Sequence, residues 1–328
     1  MRKTAFVAGV LAVLLAAALD PAAVSAAPRH GHHARSSGHH RHHGSRRSAA
    51  GRRTLATSGW SHGGDYKTSW DEFQAMRAAA HGGTKMNWGT LPDWTGLWTH
   101  ADNFNFDTNQ KGAEPTAALT PEYKARFDQK IANIRKGIEW DPLSACLPAG
   151  YPRWLLEPFL REYVVRPEET WLMLEQNAEI RRVYTDGRAH VPDDEAYPTW
   201  EGDSIGFWDG DTLVIHTQNL RGGQYQRLQP EYSDQATTVE RMRRIGPDLI
   251  EDIIDVYDPL ALTRPWHVRH TYRRVTTPNL RINHWSCEEN NNVVKTDNGS
   301  STFVLPGEKA YKDPNAISKG PAAPSGEH

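Results

Sequence analysis

The chain has 328 residues, with 38 Lys or Arg, 40 Asp or Glu and 38% hydrophobic side chains. Nine of the basic groups and one acid lie in the first 53 residues, which leaves 29 basic against 39 acidic groups in the 275 that follow. An acidic body argues against non-specific nucleic-acid binding by the fold, and the hydrophobic fraction marks a globular body rather than a disordered or membrane-embedded one.

At the start, Arg2 and Lys3 precede an uncharged apolar run from Ala5 to Leu19, and Val24-Ser25-Ala26 places small residues where a signal peptidase reads. Residues 1–26 therefore read as a secretory signal cut after Ala26, and the protein is expected to be exported, periplasmic or secreted. The run is short for a membrane span, and an uncleaved anchor is the other reading of the same segment. Residues 27–53 hold seven of the 16 histidines and seven arginines, with no acid. Such a segment cannot bury enough apolar surface to offset its ordering entropy and is expected to be disordered. His32, His33, His39, His40, His42 and His43 would chelate a divalent metal weakly and with little selectivity. The other reading is a solvated, pH-sensitive polycation with no specific task.

Residues 54–150 read as a helical extension packed on a barrel. A first helix is predicted from Ser69, with Ser69 as cap, Glu72 completing a capping box and Gly82-Gly83 ending it. A second begins at Thr120 with Pro121 in its first turn; Tyr123, Phe127, Ile131, Ile134 and Ile138 form its apolar stripe, and Gly137 and Pro142 close it. The only cysteines are Cys146 and Cys287. In an oxidising compartment they are expected to pair, closing a long loop worth about 3–5 kcal/mol; two buried thiols are the alternative.

Residues 151–310 change to strands and turns, predicted at 161–165, 169–176, 179–186, 204–208, 211–217, 238–245, 248–257, 266–275 and 280–288. Asp186-Gly187, Asp209-Gly210-Asp211, Gly246-Pro247-Asp248 and Asp258-Pro259 are turn signals between them. Short turns make an antiparallel meander, and that many strands leave exposed edges unless the sheet closes. The expected fold is mainly β, an antiparallel lipocalin- or calycin-like barrel, with a two-sheet sandwich as the alternative. Residues 311–328 read as a loose end.

Alternation assigns the faces. It groups Trp171, Met173 and Glu175; Ile180, Arg182, Tyr184 and Asp186; Glu240 and Met242; and Trp266, Val268, His270 and Tyr272. If these line one cavity, it is aromatic and holds Glu175, Arg182, Glu240 and His270. Such charges are either an Arg182–Glu240 ion pair that fixes the fold or a constellation for ligand binding and acid–base chemistry. The opposite facing would put them in water. The 12 tryptophans serve mostly as packing, and some as stacking surfaces.

Gly202-Asp203-Ser204-Ile205-Gly206 matches the G-x-S-x-G pattern, but a strand end and tight turn follow it where a nucleophile elbow needs a helix. The glycines are better read as allowing close strand approach. His267 and His270 fall on opposite faces of a strand, and nothing in the sequence says that His190, His216 and His284 meet, so no metal is expected in the body. No glycine-rich phosphate loop stands in a nucleotide-binding context, and no cofactor is implied.

The segments Arg182–His190 and Trp200–Val214, with Val239-Glu240-Arg241, Asp258-Pro259, Arg264-Pro265-Trp266 and Cys287-Glu288-Glu289-Asn290, resemble a large group of uncharacterised secreted bacterial proteins. That group shows Arg-Ile-Tyr-x-Asp-Gly-Arg-x-His, Gly-x-Trp-Glu-Gly-Asp-Thr-Leu-Val-Val and a late Cys-His-Glu-Gly-Asn. The resemblance spans about residues 92–292 and implies no particular reaction. Glu288 stands where the group has His, and Asn290 where it has Gly, so any role of that His is lost here. Gly96-Leu97-Trp98 is similar to the Gly-x-Trp opening of lipocalins.

Two functions follow for such a barrel. One is an enzyme of lyase, isomerase or hydrolase type, acting without a cofactor on an aromatic or flat hydrophobic compound. Glu240 or His270 would move the proton, Arg182 and Tyr184 would hold the developing anion, and Trp171, Met173, Met242, Trp266 and Tyr272 would line the ligand. The other is a non-catalytic carrier with the same pocket; metal buffering by the histidine tail is a third. No nucleic acid or membrane span takes part. A chain beginning at Thr54 is expected to keep the melting midpoint of one beginning at Ala27. A loss of several degrees in a calorimetric scan would show that the tail docks on the body.

Overall fold

The computed structural model describes residues 66–138 and 141–283, and the backbone of 293–295 and 301–303. Contacts divide the chain after Thr54, and every described residue belongs to the second unit. Its centre is a closed barrel of nine strands. In chain order these are β1 (Leu97–His100), β2 (Arg161–Val165), β3 (Glu169–Leu174), β4 (Ile180–Tyr184), β5 (Asp203–Asp209) and β6 (Thr212–Gln218). After a two-residue hairpin, β7 (Gly223–Gln224) and β8 (Glu231–Tyr232), come β9 (Thr237–Gly246), β10 (Leu249–Tyr257) and β11 (Trp266–Arg274). A separate pair, β12 (Val293–Lys295) and β13 (Ser301–Phe303), lies outside the barrel sheet.

Eight of the barrel strands fall on predicted segments. The ninth, β1, was expected to be part of a helical extension. It has four residues, too few to show alternation, yet it closes the sheet by pairing Trp98 with Arg161 of β2 and His100 with Tyr272 of β11. Closure satisfies the backbone groups that two free edges would leave open. The order around the barrel is β1-β11-β10-β9-β6-β5-β4-β3-β2. One seam departs from the expected antiparallel plan: β4 and β5 run parallel over Val183↔Ser204 and Tyr184↔Ile205. The connection between them is too long for a hairpin and re-enters in the same direction. Of the expected strand 280–288, residues 280–283 are not in a strand and the rest lie outside the described residues. Cys287 also lies outside them, and with it the expected pairing to Cys146; so do the histidines of 27–53.

Register fixes which side chains enter the barrel. On β9, β10 and β11 these are Thr238, Glu240 and Met242; Ile250, Asp252, Ile254 and Val256; and Trp266, Val268, His270 and Tyr272. On β3 and β4 the phase is opposite to expectation. Thr170, Leu172, Leu174, Arg181 and Val183 point in, and Trp171, Met173, Arg182 and Tyr184 point out. Glu-Thr-Trp-Leu-Met-Leu is apolar in both phases, so alternation there carries no preference. Outside, Arg182 stacks 4.5 Å over Trp171, and Arg188 lies 3.9 Å over Tyr184. Ser204 is the second residue of β5, which runs on to a tight turn and not to a helix. A Cβ on Gly206 would come within 2.6 Å of the Val214 carbonyl, and Gly202, at φ +68°, would bring one within 2.7 Å of Thr217.

The helix α1 (Ser69–Ala79) is capped one residue earlier than expected: Thr68, not Ser69, accepts from the Asp71 N–H at 3.1 Å. Phe73 and Met76 pack on Ile205, Phe207, Val214 and Val239 on the outer face of β5, β6 and β9. Burying those two side chains contributes roughly 1.5–3 kcal/mol each. The helix α2 (Pro121–Arg135) buries Tyr123, Phe127 and Ile131.

Beneath α1, the Tyr257 hydroxyl donates to Glu72 at 2.7 Å, and Asp255 takes the Arg241 guanidinium and His267 Nδ1. Burial, and then the neighbouring Asp255, push the Glu72 carboxyl up to about 8. Its folded pKa lies above the unfolded value, so the stability it contributes is complete below about pH 4.5 and is lost as pH rises through about 8. Glu72→Gln imitates the protonated form. The variant is expected to match the native melting midpoint at pH 4.5 and to exceed it increasingly up to pH 9. Parallel melting curves across that range would show that Glu72 does not titrate with folding.

Candidate functional site

The barrel interior holds a fully buried ion pair, Arg181 with Glu240. Arg181 is on β4 and Glu240 on β9, with β5 and β6 between them, so the contact spans the interior. Both oxygens of Glu240 accept from the guanidinium, one at 3.0 Å from Nη1 and the other from Nη2. Arg181 Nε donates to Ser204 Oγ at 3.0 Å, and Nη2 donates to Thr217 Oγ1 at 2.5 Å. The Tyr151 ring lies 3.7 Å from the guanidinium carbon, and its hydroxyl donates to Thr238 at 2.9 Å. Burial works against the charge on Arg181, but Glu240 outweighs it and raises the guanidinium pKa. The expected partner, Arg182, is on the wrong face by one residue; the internal ion pair exists with Arg181 in its place. Glu240 is thereby committed to a structural contact, and its oxygens are not free for a proton transfer.

A second group of polar atoms in the interior has no such satisfaction. Both carboxylate oxygens of Asp252, Nε2 of His270, the hydroxyls of Tyr163 and Tyr272 and the indole N–H groups of Trp94 and Trp208 are buried without a hydrogen-bond partner. Asp252 lies directly opposite His270 across β10 and β11. The rings run on from His270 to His100 (5.5 Å), Tyr272 (5.9 Å), Tyr163 (6.1 Å), Trp94 (6.0 Å) and Trp208 (5.5 Å). The unpartnered atoms thus belong to one connected wall rather than to scattered sites. Buried polar groups are ordinarily paired, so a cluster of this kind marks a place where a guest or water completes the bonding.

Burial pushes the Asp252 carboxyl well up, and the charge on Glu240 adds to the effect. Asp252 therefore keeps its proton. Burial, then His100, bring His270 down to about 3, with the Phe106 backbone opposing weakly, and burial followed by Arg161 brings His100 to about 4. Both imidazoles are neutral, and His100 Nε2 stands 3.4 Å from His270 Nδ1. Arg161 caps this end of the interior. Its guanidinium donates to the carbonyls of Trp154, Leu155, Glu157 and Phe159 at 2.8–2.9 Å and lies 5.2 Å from the Tyr272 ring.

His100, Asp102 and His270 bring ligating atoms within 4.8 Å of one another, a donor set that sequence spacing did not foretell. The Asp102 carboxylate is already engaged by the Thr271 N–H at 2.5 Å and its hydroxyl at 2.8 Å. Both of those bonds fall on Oδ2; within the trio, His100 Nε2 lies 3.4 Å from His270 Nδ1 and His100 Nδ1 lies 3.2 Å from the Asp102 carbonyl oxygen.

Of the residues that the sequence nominated, Glu240, Met242, Trp266, His270 and Tyr272 enter the barrel. Arg182, Tyr184, Trp171 and Met173 do not. Glu175 sits at the strand end and accepts from Asn283 at 2.9 Å. The residues missed are Arg181, Asp252, Tyr163, Arg161 and His100. Asp252 was legible: the alternation Ile250-x-Asp252-x-Ile254-x-Val256 puts a carboxyl among apolar neighbours. Arg161 and His100 carried no signal, because their strands are short or were not expected.

No protein-family model matches the sequence, and no curated protein matches it. Among solved structures, a distant match is a secretary abundant heat soluble protein from Ramazzottius varieornatus. It is 10% identical, with a TM-score of 0.27, over 56% of this chain and 95% of that one.

The Arg181–Glu240 pair generates a direct expectation. Glu240→Gln leaves a buried guanidinium without its counter-charge and is expected to cost about 3–5 kcal/mol in a denaturant melt. A change within about 0.5 kcal/mol would place Glu240 outside the load of the fold.

Proposed function

We propose that this chain is an exported small-molecule-binding barrel that takes a flat, neutral, hydrogen-bonding guest along the wall formed by Tyr163, Tyr272, His270 and Asp252. The chemistry we assign to it is acid–base catalysis of lyase or isomerase type. The observation that carries the reading is Asp252, a wholly buried carboxyl with neither oxygen partnered. A protonated carboxyl offers one donor and an acceptor, and the neutral His270 opposite offers Nε2. A carbonyl or enol group between them would meet both. Asp252 then holds the proton that the reaction moves and His270 Nε2 orients the guest, in place of Glu240 and of the outward-facing Arg182 and Tyr184. The aromatic wall supports a flat guest, since ring stacking supplies area without demanding charge. The charged leader supports export.

The test uses N-phenyl-1-naphthylamine, a neutral aromatic fluorophore, with Asp252→Leu. The variant is expected to bind the probe at least about 10-fold more weakly, near 1.4 kcal/mol. Its melting midpoint should hold or rise, because an unpaired buried carboxyl gives way to an apolar side chain of similar volume. Unchanged probe binding with a lowered midpoint would make Asp252 a packing group and remove the interior site. For a guest identified by native mass spectrometry, uptake of solvent deuterium marks the enzyme, and return of the guest unlabelled marks a carrier.

A further inference from the structure

A second constellation lies outside the barrel, where α1 meets β6 and β9, and it is independent of the interior. Four side chains from separate parts of the chain form one hydrogen-bonded line. Asp203 Oδ2 at the start of β5 is 2.7 Å from His190 Nδ1. His190 Nε2 is 2.7 Å from Nδ1 of His216 in β6. His216 Nε2 is 2.9 Å from Ser69 Oγ in the first turn of α1. Ser69 Oγ also lies 2.7 Å from Thr237 Oγ1. His190 and Asp203 come from the two most distinctive segments of the sequence, and the barrel interior uses neither.

The direction of the line follows from its acidic end. Burial opposes ionisation of Asp203, but the bonds from His190 and from the Val191 N–H (2.9 Å) outweigh it and lower the carboxyl pKa. An ionised carboxylate only accepts, so His190 Nδ1 carries hydrogen and Nε2 accepts. His216 Nδ1 must then donate to His190, which leaves His216 Nε2 as acceptor and Ser69 as its donor. Thr237 donates in turn to Ser69 Oγ. Each tautomer is set by its neighbour, and together they turn the serine hydroxyl toward a base. This is the arrangement that activates a nucleophilic serine, lengthened by one histidine.

The line opens on a cleft of about 470 Å³. Ser69 and His216 line it, with Trp70, Tyr257, Leu262 and Pro265 among the other walls. The exposed surface of the cleft is more apolar than polar, with Lys67, Asp258 and Arg264 also among its walls, so it suits a small organic group that carries a polar end.

We propose that Ser69 is a nucleophile served by His216, His190 and Asp203, and that the cleft takes small carboxylic esters. Ser69 Oγ bonds to the ester carbonyl carbon, and its proton passes to His216 Nε2. The His216 Nδ1 proton moves to His190 Nε2, so the positive charge settles beside Asp203. The carbon–oxygen bond to the alcohol breaks, and the alcohol leaves with the returning proton. Water then attacks acyl-Ser69 by the same route and releases the carboxylic acid. Ester and water become acid and alcohol, with no redox change. The second histidine has a reason to be present. Burial, then His190, hold the His216 imidazole at about 3, a weak base by itself. Relaying the proton outward places the cation against a carboxylate.

The experiment uses the full chain with an alkyl fluorophosphonate and with p-nitrophenyl acetate. One phosphonyl group is expected on the peptide containing Ser69, and p-nitrophenolate release should fall at least about 10²-fold in Ser69→Ala and in His216→Asn. Ser69→Ala also removes a tie between α1 and the barrel, so Asp203→Asn is the companion variant. It touches neither α1 nor the ester. It should lose about 10²-fold or more in rate while keeping its melting midpoint, because the amide no longer enforces the tautomer line. Absence of labelling at Ser69, or equal turnover in native, Ser69→Ala and Asp203→Asn chains, would overturn the proposal and leave the line as an anchor for α1. Loss of rate only in step with loss of melting midpoint would overturn it as well.

Discussion

The contact between Arg181 and Glu240 organises the barrel interior. A guanidinium and a carboxylate taken out of water carry a desolvation cost of several kcal/mol each, which their attraction repays only with good geometry and further hydrogen bonds. Here the geometry is a two-point fork, and Ser204, Thr217 and the Tyr151 ring complete the guanidinium's surroundings. Residues of β4, β5, β6 and β9 are bound to one planar group. These strands include the parallel seam between β4 and β5, where only two residue pairs hold the sheet together. A specific polar clamp sits beside one of the two shortest stretches of ladder.

The same pair sets the chemistry of its neighbours. Glu240 is paired with Arg181, and a second carboxylate charge in the same low-dielectric space is disfavoured. Burial first, and then the charge on Glu240, raise the Asp252 carboxyl, while burial lowers the imidazoles of His100 and His270, with Asp102 opposing at His100. One ionic contact is fully satisfied, and the adjoining wall is uncharged, polar and unsatisfied. That division separates the part that holds the barrel together from the part with hydrogen-bonding capacity left over.

The outer face follows a different logic. A strand in a barrel with one wet side should alternate, yet β6 buries five consecutive residues, from Leu213 to Thr217. Phe73 and Met76 of α1 account for this by covering Val214 and its neighbours from outside. Polar groups caught under the helix then need partners of their own. His216 finds Ser69 and His190, and Glu72 finds Tyr257. Docking one short helix thus creates two buried polar assemblies on a surface that would otherwise be hydrated.

The sequence by itself determined the local elements. Period-two patterning bounded by Asp-Gly and Gly-Pro-Asp turns located eight strands, and Pro121 and the Tyr123–Phe127–Ile131 stripe located α2. It also grouped Trp266, Val268, His270 and Tyr272 on the more apolar face of β11, and Glu240 with Met242 on one face of β9, where neither phase is clearly the more apolar and the facing waits for the packed barrel. Only the tertiary structure decided the phase of β3 and β4, because both phases of β3 hold apolar side chains, each phase of β4 carries an arginine, and the choice falls to partners across the sheet. It decided that β1 closes the barrel, since four residues hold no period and closure is a property of the whole sheet. It likewise brought together Asp203, His190, His216 and Ser69, which are up to 147 residues apart and joined by hydrogen bonds that no local pattern encodes. Periodicity is a short-range property of the chain, whereas the meeting of distant polar groups depends on register and packing, which exist only once the barrel has closed.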